Sequence, residues 1–113
     1  MKVAVIGSRG AKEATLVPKI LRELPAETTE IVSGGANGVD HAAETVAQTA
    51  GIPIKIFYPD YDTFGRQAPL IRNRQIVEYA ELVLAFWDGI SRGTAATIGI
   101  CVETGKTFRV IPI

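Results

Sequence analysis

Short apolar runs of strand length alternate with helical patterns along the whole chain, and this alternation limits the fold more than any other feature. Five runs are rich in Val, Ile and Phe, and most of them lack the polar alternation of a half-exposed strand. Strands that are apolar throughout suit a sheet that is covered on both faces. The five runs are Val3–Ile6, Glu30–Val32, Ile54–Phe57, Leu82–Phe86 and Phe108–Ile111.

Helical patterns separate these predicted strands. The clearest is an alanine-rich stripe that ends at Gly51, a residue type that favours the C-terminal end of a helix. Leu16, Ile20 and Leu24 predict a shorter helix, with Pro18 expected in its first turn because proline disrupts a helix interior. Two more helices are predicted, one around Ile76, Val77 and Ala80 and one around Ala95, Ile98 and Val102.

Five strands alternating with four helices predict a single α/β domain over residues 1–113. The expected fold is a three-layer, Rossmann-like open parallel sheet with helices on both faces. The absence of net charge argues against affinity based on broad phosphate neutralisation. The apolar run Val3–Ile6 is too short for a signal peptide or a membrane span, so we expect a cytoplasmic protein with no membrane partner.

Three glycine-bearing loops follow predicted strands. Because ligands of open α/β sheets bind beyond the carboxyl ends of the strands, these loops are expected to meet at one edge. The second and third lead into helices, whose free N–H groups favour anions. The loops are GSRG (Gly7–Gly10), SGGANG (Ser33–Gly38) and DGISRGT (Asp88–Thr94).

Five of the seven arginines fall in segments assigned to the same edge, whereas the lysines lie mostly elsewhere. The planar guanidinium group suits bidentate binding of phosphate or carboxylate, so the pattern predicts a site for a compact anion. Surface salt bridges from Arg66 and Arg72 to nearby acidic residues are the alternative. The five arginines are Arg9, Arg66, Arg72, Arg74 and Arg92.

Two well-known phosphate motifs are absent. The sequence has no G-x-x-x-x-G-K-[ST] motif, which excludes a P-loop NTPase. The first turn is not G-x-G-x-x-G, and the second strand ends in Ser33 and Gly34 without the acidic residue that would bind a ribose. An ordinary NAD dehydrogenase is therefore not expected.

Four short sequence segments follow one another along the chain in this order: GSR, SGGANGVDHAA, RNRQI and SRGT. Together they resemble the SLOG superfamily, which includes the DNA-processing protein DprA (Smf) and the Lonely Guy phosphoribohydrolases, and in particular its small stand-alone YspA/DprA-like members. The resemblance covers nearly the whole chain. It implies a homo-oligomer (dimer or tetramer) that binds a nucleotide or nucleotide-derived phosphorylated ligand as a sensor or carrier module, with no required cofactor.

The resemblance places ligand-binding residues in all three loops and in a helix. Asn73 is interpreted as the residue that holds the site together. Only one of Arg72 and Arg74 is expected to reach the ligand, because these arginines lie about 200° apart on a helix. Asp40 is expected to hold its loop or to accept a ribose hydroxyl. The predicted set is Gly7, Ser8, Arg9, Ser33, Gly34, Gly35, Gly38, Asp40, Arg72, Asn73, Arg74, Ser91, Arg92, Gly93 and Thr94.

One departure bears on a second possible function, hydrolysis of a nucleotide N-glycoside. Lonely Guy hydrolases have the pattern G-T-x-x-E, but this chain has Thr97 at the glutamate position. Breaking the bond needs an acid, which threonine cannot supply. Asp88 and Asp60 remain candidates for that role, and enzymatic activity is left open.

A third possible function is single-stranded DNA binding, as in DprA, which calls for cationic and stacking groups together. The arginines and a set of aromatic residues fit this function, whereas zero net charge and neighbouring aspartates count against it. The aromatic residues are Tyr58, Tyr61, Phe64 and Trp87, and the aspartates are Asp60, Asp62 and Asp88. No metal site is expected, and His41 and Cys101 are assigned structural roles.

Overall fold

The computed structural model describes residues 1–113, which form five strands, five α-helices and one 3₁₀ turn at Gly65–Gln67. No helix has the length and apolar character needed to cross a membrane. In chain order the elements are β1 (Lys2–Gly7), α1 (Glu13–Glu23), β2 (Glu30–Ser33), α2 (Val39–Ala50), β3 (Ile54–Ile56), α3 (Tyr61–Phe64), α4 (Ala68–Tyr79), β4 (Leu82–Trp87), α5 (Arg92–Thr104) and β5 (Phe108–Pro112).

The five strands form one parallel sheet in the order β3-β2-β1-β4-β5. The chain builds the sheet outward from β1 to β3 and then returns to add β4 on the other side of β1. The strand order therefore reverses between β1 and β4, which pair from Val3 with Leu82 to Gly7 with Phe86. This arrangement confirms the predicted Rossmann-like α/β fold.

Helices cover both faces of the sheet, as predicted. Val3 and Val5 point into a core shared with α1 and α2, while Ala4 and Ile6 point into a second core shared with α4 and α5. The residues of β1 from Val3 to Ile6 are all apolar because successive side chains point to opposite faces of a strand and both faces are buried here.

Two local predictions were wrong. Pro18 is the sixth residue of α1 and not part of its first turn. Pro18 and Ala14 are both exposed, so water can satisfy the carbonyl that loses its intrahelical partner. No helix was predicted between β3 and the helix around Ile76, but this segment contains α3, which begins where the Asp60 carboxylate accepts the Thr63 N–H at 3.2 Å.

Candidate functional site

A cavity of about 360 Å³ opens at the carboxyl end of the sheet, where the loops after β1 and β4 separate around the point of strand reversal. The cavity brings together most of the predicted ligand-binding residues. These are Gly7, Ser8, Arg9, Gly34, Asp40, Arg72, Asn73, Ser91, Arg92, Gly93 and Thr94. Ile6, Gly10, Ala36, Ile76 and Thr97 complete the lining and were absent from the predicted set. Ser33, Gly35, Gly38 and Arg74 lie outside it.

Ser33 and Gly38 shape the second loop from behind the cavity wall. The Ser33 hydroxyl is buried, donates to the Asp40 carbonyl at 3.4 Å and accepts the Gly35 N–H at 3.3 Å. Gly38 has φ +70°, and a Cβ there would lie 2.4 Å from the Arg9 carbonyl oxygen. Only glycine therefore lets the first and second loops approach so closely.

Arg72 joins α4 to the second loop. Its side chain is buried, and Nη1 donates to the Gly34 carbonyl at 2.6 Å while Nε donates to the Asn73 amide oxygen at 2.9 Å. Arg72, and not Asn73, is thus the residue that spans the two elements. Arg74 points away from the cavity, with Nη2 3.6 Å from a carboxylate oxygen of Glu103 on α5.

Asp40 provides the only carboxyl group in the cavity lining. The side chain is buried in the first turn of α2, where Oδ2 accepts the Ala36 N–H at 3.2 Å and Oδ1 has no hydrogen-bond partner. Burial raises the pKa of Asp40 to about 6, even though Arg72 and Arg9 act in the opposite direction. Burial also lowers the pKa of Arg72.

Asp88 organises the third loop. Its carboxylate accepts the backbone N–H groups of Ser91 and Ile90 at 2.8 and 2.9 Å, and these bonds, with the former dominant, lower its pKa to about 2. The Asp88 N–H donates to the Ser8 hydroxyl at 3.2 Å, so the first and third loops are tied together. Trp87 is half-buried and donates its indole N–H to the Ser91 carbonyl, so its indole helps hold this loop.

The cavity has an excess of positive charge. Arg9 and Arg92 are exposed, and neither takes part in any of the three ion pairs of the structure. The N-terminus of α5 opens beside Arg92, and no side chain caps it. Its free N–H groups and the guanidinium groups together favour an anion such as phosphate.

The structure also locates the residue that stands where a hydrolase would have glutamate. Thr97 lines the cavity, and its hydroxyl donates to the Gly93 carbonyl at 3.0 Å. Neither Asp60 nor Asp88, the two candidates for a substitute acid, lines this cavity.

Comparisons with known proteins agree with the fold described above. The chain is similar to DNA processing protein A (DprA) from Streptococcus pneumoniae, with a TM-score of 0.80 and 26% identity over 99% of this chain and 50% of that one. It also shares the fold of DNA processing protein A from Helicobacter pylori, whose structure shows a single-stranded DNA binding mode, with a TM-score of 0.73 and 22% identity over 100% of this chain and 66% of that one.

The chain thus spans from half to 66% of the length of these two proteins. No curated protein matches the sequence significantly. The model of the family described as DNA recombination-mediator protein A matches residues 1–58, a segment that holds β1 to β3 and the first two loops of the cavity. The chain belongs to the DNA recombination-mediator protein A family.

Proposed function

We propose that this chain binds single-stranded DNA and that the cavity at the carboxyl end of the sheet holds a phosphate of the DNA backbone. The proposal rests mainly on two exposed, unpaired arginines, Arg9 and Arg92, which line the cavity at the uncapped N-terminus of α5. The single-stranded DNA binding mode of the Helicobacter pylori relative favours a polymer over a free nucleotide.

The three arginines of the cavity have two different roles. Arg72 donates a hydrogen bond to the Gly34 carbonyl and so holds the wall of the cavity in place. Arg9 and Arg92 have no protein partner for their guanidinium groups and are free to form charge-assisted hydrogen bonds with phosphate oxygens. With only two such groups and no net charge on the chain, we expect affinity to come from a few local contacts.

This charge distribution sets the expected salt dependence. Each phosphate neutralised on a single strand contributes about −0.7 to the slope of log K against log salt concentration. One phosphate held between the two arginines therefore predicts a slope of about −0.7, much shallower than that of a protein with a broad basic groove.

A second candidate function is binding of a free nucleotide, the function inferred first from the sequence. The size of the cavity favours it, because about 360 Å³ lies in the range of pockets for small ligands. A mononucleotide would place its phosphate against the same arginines. The two functions differ in whether affinity rises with the length of the strand.

The test is fluorescence anisotropy with 5′-labelled oligothymidine at low salt. We expect Arg92→Ala to weaken binding about tenfold or more, because a hydrogen bond to a charged group contributes about 1.5–3 kcal/mol. Arg22→Ala is the matched control, since Arg22 is exposed in the last turn of α1 at the opposite edge of the sheet.

Equal losses in Arg92→Ala and Arg22→Ala would contradict the proposed site. Unlabelled thymidine monophosphate serves as the competitor. If it displaces the oligonucleotide as well as unlabelled oligothymidine does at equal molar concentration, the free-nucleotide function replaces DNA binding.

A further inference from the structure

We infer that an aromatic cleft beside the cavity is a nucleobase subsite, which receives the base of the nucleotide whose phosphate lies between Arg9 and Arg92. This inference rests on the proposed phosphate binding. The aromatic cleft is lined by Tyr58, Pro59 and Tyr61, by the turn of residues 34–37, and by Arg9 and Arg72.

The cleft adjoins the cavity along a shared wall. The cleft has a volume of about 270 Å³ and shares four wall residues with the phosphate cavity. A ligand with an anionic group in the cavity can therefore extend into the cleft along the same wall. The shared residues are Arg9, Gly34, Ala36 and Arg72.

The turn at Gly35 contacts one edge of the Tyr58 ring, although most of this residue is exposed. The side chain is 66% exposed, yet a Cβ on Gly35 would lie 2.7 Å from the Tyr58 Cε1 atom. Because Gly35 has no side chain, the backbone of the turn can pack closely against one edge of the ring, and the φ of +71° also favours glycine there. An aromatic ring that is supported on one side and open on the other offers a stacking surface at a small cost in side-chain entropy.

The chemistry of the walls matches a nucleotide better than other anions. Arg9 and Arg72 provide positive charge to the lining, while Tyr58 and Tyr61, which is 58% exposed, provide flat apolar surface. The matching ligand has a negative group next to a planar ring. Asn37 is the only uncharged amide side chain in the cleft, so we expect stacking with little preference among the four bases.

The test compares oligothymidine with an oligomer of the same length and phosphate count whose sugars are abasic. Wild-type protein should bind oligothymidine between about five-fold and a hundred-fold more tightly, the range expected for stacking of one base. Tyr58→Ala should lose this preference and keep the affinity for the abasic oligomer, whereas Tyr58→Trp should retain the preference. Phe64→Ala is the control, because Phe64 is 40% exposed but lies outside the cleft.

The outcomes separate the two proposals. If wild-type protein binds both oligomers equally, or if Tyr58→Ala keeps the preference for oligothymidine, the nucleobase subsite is wrong and phosphate binding stands. If wild-type protein binds neither oligomer, phosphate binding fails and the subsite fails with it. A thermal midpoint for Tyr58→Ala equal to that of wild type shows that the variant is folded.

Discussion

Replacing Asp40 by asparagine should make the protein more stable at neutral pH and slightly less stable at pH 4. The wild-type carboxyl group is buried, Oδ1 has no hydrogen-bond partner, and its pKa is raised to about 6 from 3.8. Asparagine has nearly the same shape and carries no charge at any pH. Its amide oxygen can still accept the Ala36 N–H that Asp40 Oδ2 accepts at 3.2 Å.

The magnitude follows from the difference between the folded and unfolded pKa values. A rise of roughly two units corresponds to about 3 kcal/mol. Between pH 4 and 6 the folded state binds more protons than the unfolded state, so the stability of wild type falls as pH rises through this window and is lowest above it. An imperfectly satisfied asparagine amide costs about 1 kcal/mol. The expected gain of Asp40→Asn at pH 7.5 is therefore about 2 kcal/mol.

The assay is urea denaturation of both proteins at several pH values from 4 to 7.5. Other ionisable groups cancel in the difference between the two proteins, apart from Arg72, Arg9 and Glu44, which interact directly with Asp40. The difference in unfolding free energy should grow with pH and level off above pH 6. A difference that does not change with pH, or one that favours wild type at pH 7.5, would show that burial does not raise the pKa of Asp40 in this way.

Three further predictions concern the loops. Gly38→Ala should lower the unfolding free energy by at least twice the loss of about 1 kcal/mol expected for Gly105→Ala in thermal denaturation, because both residues have positive φ but only a Cβ at Gly38 would collide with another loop. Arg72→Ala should cost about 2–3 kcal/mol in urea denaturation by removing the donor to the Gly34 carbonyl, and Arg72→Lys should not restore it, since lysine lacks the planar fork. Asp88→Ala should speed amide hydrogen exchange in the loop before α5. The factor relative to wild type should be the same at pH 5 and pH 8, because a carboxylate with a pKa of about 2 is charged throughout that range. Equal losses for the two glycine variants, full rescue by lysine, or unchanged exchange would contradict the respective prediction.

The fold could be predicted largely because the sequence patterns are local. The apolar runs mark all five strands within a residue or two at either end, since the central strands are covered on both faces. The edge strands β3 and β5 are still recognisable although each includes one exposed charged residue, Lys55 and Arg109. The helix α3 was missed because four residues are too few to show periodicity, and its start depends on the Asp60 cap. Periodicity also gives no information on the order β3-β2-β1-β4-β5, which is decided by packing across the whole sheet.

The three loops of the cavity could be predicted from the rule that parallel strands end at one edge, but the roles of individual side chains could not. Arg72 lies four residues before the buried Ile76, so a stripe of period four could have identified it as the inward-facing residue. The bond from Arg72 to the Gly34 carbonyl joins residues 38 positions apart and leaves no local signal. The same is true of the contact between Tyr58 and Gly35, which links two separate loops.

The most direct test of the account is a titration of ¹⁵N-labelled protein with a short oligothymidine, followed by the chemical shifts of the backbone amides. If the cavity binds a DNA phosphate, the largest changes should occur in residues 7–10, 34–36 and 92–94, which surround the cavity at the carboxyl edge. Amides at the opposite edge, such as those of Thr28 and Glu81, should change little. Large changes at that opposite edge, or none anywhere at a high concentration of the strand, would contradict the assignment of this cavity as a DNA phosphate site.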